Sequence, residues 1–120
     1  MKKHYLLVAL LFSFFISQAQ TSSAKKEPNA LTKIALLKLS GAGIPNDVSA
    51  KTYATFYEFY AGKAQAEAAI ANGESNLKLA EVQNRYIKNR DASLAKILSA
   101  EQMKLFKTKL EAALAFSETK

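Results

Sequence analysis

The stretch LAKILSAEQMKLF, residues 94–106, decides the reading of the fold. Ser99 is followed three residues later by Gln102, the pattern of a capping box. In that arrangement the serine side chain accepts from one orphan backbone N–H, and the glutamine returns the favour to the serine's own N–H. A helix therefore starts at Ser99, and Leu94, Ile97 and Leu98 before it end another. Downstream, Met103, Phe106, Leu110, Ala113 and Leu114 recur at helical spacing and predict an apolar face. The charged end SETK, residues 117–120, is expected to fray.

Working back, a helix fits Ser75 or Asn76 through about Leu98, with no Pro or Gly inside it. Steps of about 100° place Leu79, Val82, Tyr86, Ile87, Leu94, Ile97 and Leu98 in one arc, and Gln83 and Arg90 fall in the same arc. Those two polar residues allow two readings. Either Arg90 snorkels from the edge of a core while Gln83 finds a backbone partner, or both line a partly wet surface. Lys78, Arg85 and Lys96 share a narrow flank of that helix, suited to an acidic partner or to plain solvation.

Asn72-Gly73 closes the helix before it, since both residues tolerate the left-handed conformation of a helix stop. That helix is expected to run from Asn46 or Asp47 to Ala71, carrying Tyr53, Phe56, Tyr57, Tyr60, Ala64 and Ala68 on one stripe and Phe59 beside it. The aromatics read as core or dimer seam, with a ligand surface as the alternative. A first helix opens at Pro28 or Asn29, presents Leu31, Ile34, Ala35, Leu37 and Leu39, and stops at Gly41-Ala42-Gly43. No alternation of the strand type competes, so the fold class is all-α. Three to four helices are expected, in an elongated hairpin or cradle whose thin core would gain from dimerisation.

The N-terminus has the layout of a secretion signal: Lys2 and Lys3, an apolar run from Tyr5 to Ile16, then Ser17-Gln18-Ala19. That run is about a dozen residues, short of the roughly 20 that span a bilayer. The expected organisation is a signal peptide over 1–19, a flexible leader over 20–28 and one helical domain over 29–120, exported to the periplasm with no integral membrane segment after cleavage. The formal charge of the whole chain is +7 from 17 basic and 10 acidic residues, and losing Lys2 and Lys3 lowers it to +5. In an exported protein such an excess argues against nucleic acid and points to acidic proteins, anionic lipid head groups or simple solubility.

Catalytic patterns are missing from the sequence. Cys is absent, which excludes disulfides and thiolate chemistry, and the single histidine, His4, lies inside the signal. The carboxylates at Glu58, Glu67, Glu74, Glu81, Asp91, Glu101 and Glu111 show no acid/base dyad or calcium-loop spacing. Gly41-Ala42-Gly43 lacks the third glycine and the lysine of a phosphate-binding loop. The expectation is a non-enzyme without metal or cofactor.

Leu98, Ser99 and Gln102 also occupy the three defined places of the L-[TS]-x-x-Q signature, and the region over about residues 40–112 resembles the Spy/CpxP-like periplasmic proteins. Members carry two copies of the motif. Gly43 to Val48 sits where the first would be, with Ile44 in the leucine's place and Pro45 and Val48 replacing the hydroxyl residue and the glutamine. The resemblance implies a four-helix chain that dimerises into a thin basic cradle and acts without ATP. Its role would be a chaperone holding unfolded clients or a damping partner of an envelope-stress sensor domain. On that resemblance the client-binding candidates are Lys78, Arg85, Arg90 and Lys96 with Tyr53, Tyr57 and Tyr86. A structural or regulatory protein with one dedicated partner is the alternative.

Overall fold

Pro28–Gly41 forms the first helix, α1, in the computed structural model, which describes residues 26–118. After it come α2 (Asn46–Lys51), α3 (Tyr53–Ala71), α4 (Leu79–Ala95), α5 (Ala100–Leu105), a π-helical turn (Phe106–Leu110) and α6 (Glu111–Glu118). The described chain is all-helical. The expected signal peptide and leader up to residue 25 lie outside the described residues, as do Thr119 and Lys120. The leader's last residues are tied down: Glu27 carbonyl accepts from the Leu31 N–H, and Lys26 Nζ donates to Ser117 carbonyl at 3.3 Å. At the other end Ser117 and Glu118 continue α6 where fraying is expected, with Glu118 paired to Lys63.

α1 stops in a Schellman motif. Ile44 N–H reaches back to Leu39 carbonyl and Gly43 N–H to Ser40 carbonyl, while Gly43 takes φ +103°, open to glycine because it has no Cβ. The stop delivers Ile44 into the core beside Leu39. Of the face expected on α1, Leu31, Ala35 and Leu39 are buried, whereas Leu37 is 72% exposed. Residues four apart advance only about 40° around the helix, while Leu37 lies about 200° from Ala35.

The single helix expected from residue 46 to 71 is two. Thr52 separates them: its hydroxyl and its N–H both bond Ser49 carbonyl, at 2.6 and 2.9 Å, which tightens the turn, and Thr52 is fully buried. The third expected helix is shorter at both ends. Ser75 does not cap it; its hydroxyl accepts from Leu77 N–H in a local turn, and Lys78 stays extended (φ −83°, ψ 142°) before Leu79. At the far end Ile97 and Leu98 both bond back to Leu94 carbonyl. This tight turn swings Leu98 into the core and sets up Ser99, whose capping box with Gln102 forms in both directions, at 3.1 and 2.9 Å.

α3 and α4 make an antiparallel hairpin: Thr55 and Ser93 flank one cavity, Gly62 meets Tyr86, and Gln83 Nε2 donates to Glu67 Oε2 at 3.0 Å. The core sits at one end of this hairpin. There α1, the first half of α3, the second half of α4 and the C-terminal helices converge on Phe56, Leu39, Leu94 and Phe106. Phe56 meets Phe106 edge-on with centroids 5.9 Å apart, a preferred aromatic geometry. The other end of the hairpin projects beyond that core, with Val82 its buried residue.

Candidate partner-binding surfaces

Arg90 is the centre of the most connected polar cluster. Its guanidinium lies between two rings, 4.8 Å from the Phe59 centroid and 4.9 Å from Phe106, with its side chain 5% exposed. Asp91 Oδ1 accepts from Arg90 at 2.8 Å, Glu111 Oε2 accepts from Arg90 as well, and Lys107 Nζ bridges the same two carboxylates at 2.7 and 2.9 Å. Each charge is met by an opposite one, and α4 is thereby clasped to the C-terminal helix. The π turn helps: Thr108 hydroxyl bonds Lys104 carbonyl, and the widened turn offers Phe106 and Leu110 inward and Lys107 toward Asp91.

Burial pushes the Glu111 carboxyl upward, but hydrogen bonds from Lys107 and Arg90 together with their charges outweigh it, and the net shift is downward. Lys107 is the mirror case. Burial lowers it, and the bonds and charges of Asp91 and Glu111 raise it on balance. Near the other end of α6, burial, reinforced by the charge of Glu118, raises the Tyr60 phenol far above its ordinary range, with Arg90 opposing. All three shifts keep these groups in their pH 7 states. The cluster works as a structural clasp; two carboxylates already neutralised by two cations are poorly suited to proton transfer.

The candidates read from the resemblance therefore separate. Arg90 is corrected from surface residue to core residue, because two aromatic rings and two carboxylates enclose it. Gln83 is satisfied by the Glu67 side chain rather than by backbone. Tyr86 is half-buried and lies against α3 at Gly62, where an added Cβ would come 2.6 Å from Tyr86 Cε1. Lys78, Arg85 and Lys96 are exposed, but Lys78 and Lys96 flank α4 instead of belonging to it, so they form no single helical stripe. Tyr53 and Tyr57 stack at 6.1 Å on the flank of α3 toward α1, where Tyr53 hydroxyl donates to Asn29 Oδ1. That flank is opposite the one holding α4, so Tyr53 and Tyr57 lie on the side of α3 away from Arg85 and its helix.

One surface escaped the sequence reading. A groove between α1 and α2 is lined by Lys33, Leu36, Leu37, Ser40, Asn46, Ser49 and Ala50. The spacing argument that removes Leu37 from the core, two residues from Ala35 instead of four, was the available signal. Among the described residues no group of three or more His, Cys, Asp or Glu gathers as metal ligands, and no helix is long and apolar enough to cross a membrane. Comparison of the chain with protein-family models, with curated proteins and with solved structures finds no match in any of the three.

Proposed function

We propose that this chain is an exported helical binding protein of the Spy/CpxP type, which holds unfolded or acidic polypeptides in the periplasm without ATP. The observation that carries the reading is the company of exposed apolar and basic side chains outside a satisfied core. Leu37, Tyr53, Tyr57 and Phe116 stand exposed, and so do Lys33, Lys78, Arg85 and Lys96. Scattered lysines and arginines speed encounter with acidic chains, and modest apolar patches hold them loosely. The L-[TS]-x-x-Q residues Leu98, Ser99 and Gln102 support the reading by building a real helix start. Export rests on the sequence of residues 1–19.

The test is light scattering from an aggregating, chemically unfolded client, with and without the protein, repeated at high salt and with Lys78, Arg85 and Lys96 changed to alanine. Arg90 is left intact, since its loss would damage the core. Suppression that fades in salt and in the triple variant is the expected result. No suppression at any stoichiometry overturns general holding and turns the search to one dedicated partner, such as a sensor domain.

A further inference from the structure

We infer that the cleft between the α3–α4 hairpin and α6 is a binding site for a small uncharged molecule built around a secondary amide with apolar flanks. α6 packs against α1 and stands off the hairpin, and the space left is a hollow of about 470 Å³ bordered by Phe59, Ile87, Ala112, Leu114 and Ala115. A second hollow of about 180 Å³ adjoins it at Tyr60, Lys63, Gln83 and Glu118, which line both. Sites for small ligands have this build, an apolar concavity with a few polar groups that fix orientation.

Two of the polar groups there are left over by the fold. Tyr60 is 3% exposed, and among the described residues its hydroxyl makes no hydrogen bond, although the oxygen is not sealed from the cleft. Phe56 and Phe59 pack on its ring and fix its direction, and burial keeps the phenol protonated, a donor. Gln83 turns Nε2 to the Glu67 carboxylate, so its Oε1 is the end without a partner among the described residues. A donor and an acceptor lining one cleft match the C=O and N–H of an amide, which can meet them without breaking any bond within the protein. The charges of the cleft are already paired, Lys63 with Glu118, and Arg90 and Lys107 with Glu111. An incoming carboxylate or ammonium would have to displace one of those partners, and a neutral ligand does not. The site is separate from the exposed cations proposed to attract acidic chains, and it does not depend on that reading.

The test is a chemical-shift titration of isotope-labelled protein, purified as the expressing cell processes it, with N-acetyl-leucine methylamide, N-methylhexanamide, methyl hexanoate and hexanoate. Either amide is expected to saturate one site and to shift the backbone signals of 59–63, 83–87 and 112–118. The tighter of the two tells a peptide source from an acyl amide. Methyl hexanoate, which lacks the N–H, and hexanoate, which is charged, bind about fivefold or more weakly than N-methylhexanamide. Tyr60→Phe lowers amide affinity about fivefold without lowering the thermal midpoint, because the hydroxyl holds nothing in the free protein. Ala115→Phe, at an exposed position of α6, fills the hollow and lowers affinity about tenfold or more through the clash. No saturable binding of either amide overturns the inference. So does hexanoate binding more tightly than N-methylhexanamide, or undiminished amide binding by both variants.

Discussion

The two ends of the α3–α4 hairpin are built from the same backbone devices and carry very different weight. α1 and α3 both stop in Schellman motifs with glycine in the left-handed region, Gly43 at φ +103° and Gly73 at +78°. After Gly43 the chain places Ile44 at 2% exposure in the core; after Gly73 it places Glu74 in solvent. At the core end, α3 offers Phe56, Phe59 and Tyr60 to three other helices, whereas from Ala64 to Ala71 it offers chiefly alanine. Helix length is thus no measure of stability: most of it comes from the packed face.

The sharpest way to break this comparison is truncation at either end. Phe106→Ala is expected to cost about 3–5 kcal/mol, against about 1 kcal/mol or less for Ile70→Ala near the projecting end; urea unfolding of both variants measures it. Equal costs would mean the projecting end is packed after all. Arg90→Ala should cost about 3 kcal/mol by the same assay, because it leaves Phe59 and Phe106 unfilled and two carboxylates sharing one lysine. A methionine in its place should recover part of that loss if ring packing outweighs charge.

The paired helix stops sharpen the point. Ile44→Ala is expected to destabilise by about 2–4 kcal/mol and Glu74→Ala to stay within about 0.5 kcal/mol, although both follow the same turn. Native-state hydrogen exchange should show amides of 66–82 opening at lower free energy than those of 52–60. Gly62 gives a smaller, conditional effect. In a Tyr86→Ala background Gly62→Ala should stabilise by about 1 kcal/mol, the helix propensity difference, while in the native background contact with the Tyr86 ring should cancel that gain. An unconditional gain would show that the ring swings aside freely.

The weakest effect is the pH dependence that titration of the clasp confers. The Glu111 carboxyl is held below its ordinary value, so the stability it contributes is present above the unfolded carboxylate range of about 4.3 and is lost as pH falls through the lower folded value. Lys107, held high, contributes below the ordinary lysine range and loses its share as pH rises above it. Glu111→Gln should therefore flatten the acid side of a plot of thermal midpoint against pH. An unchanged slope would place the acid sensitivity elsewhere.

Helical content, the Pro28 start, the Asn72-Gly73 stop and the Ser99–Gln102 capping box were legible from residues alone. Each depends on interactions within a few residues, and local hydrogen bonding or backbone freedom is written in the local sequence. The faces were legible only in part. Periodicity assembled Phe106, Leu110 and Leu114 correctly, because one continuous partner surface covers them. It grouped Leu37 with Leu39, and it left Arg90 open between a core edge and a wet surface, which the fold resolves by burying it. An arc on a helix says which side chains are neighbours, and says nothing of which neighbour helix covers them.

Only the tertiary structure decided the enclosure of Arg90 between Phe59 and Phe106 and the scatter of Tyr53, Tyr57, Arg85 and Lys96 over different faces. Each of these follows from contacts between residues far apart in sequence, where packing against other helices outweighs the small local preferences. The amino-acid sequence determined that the described chain would be helical and where several of its helices would begin or end. Which residues would be buried, paired or left to meet a partner was settled by how those helices came together.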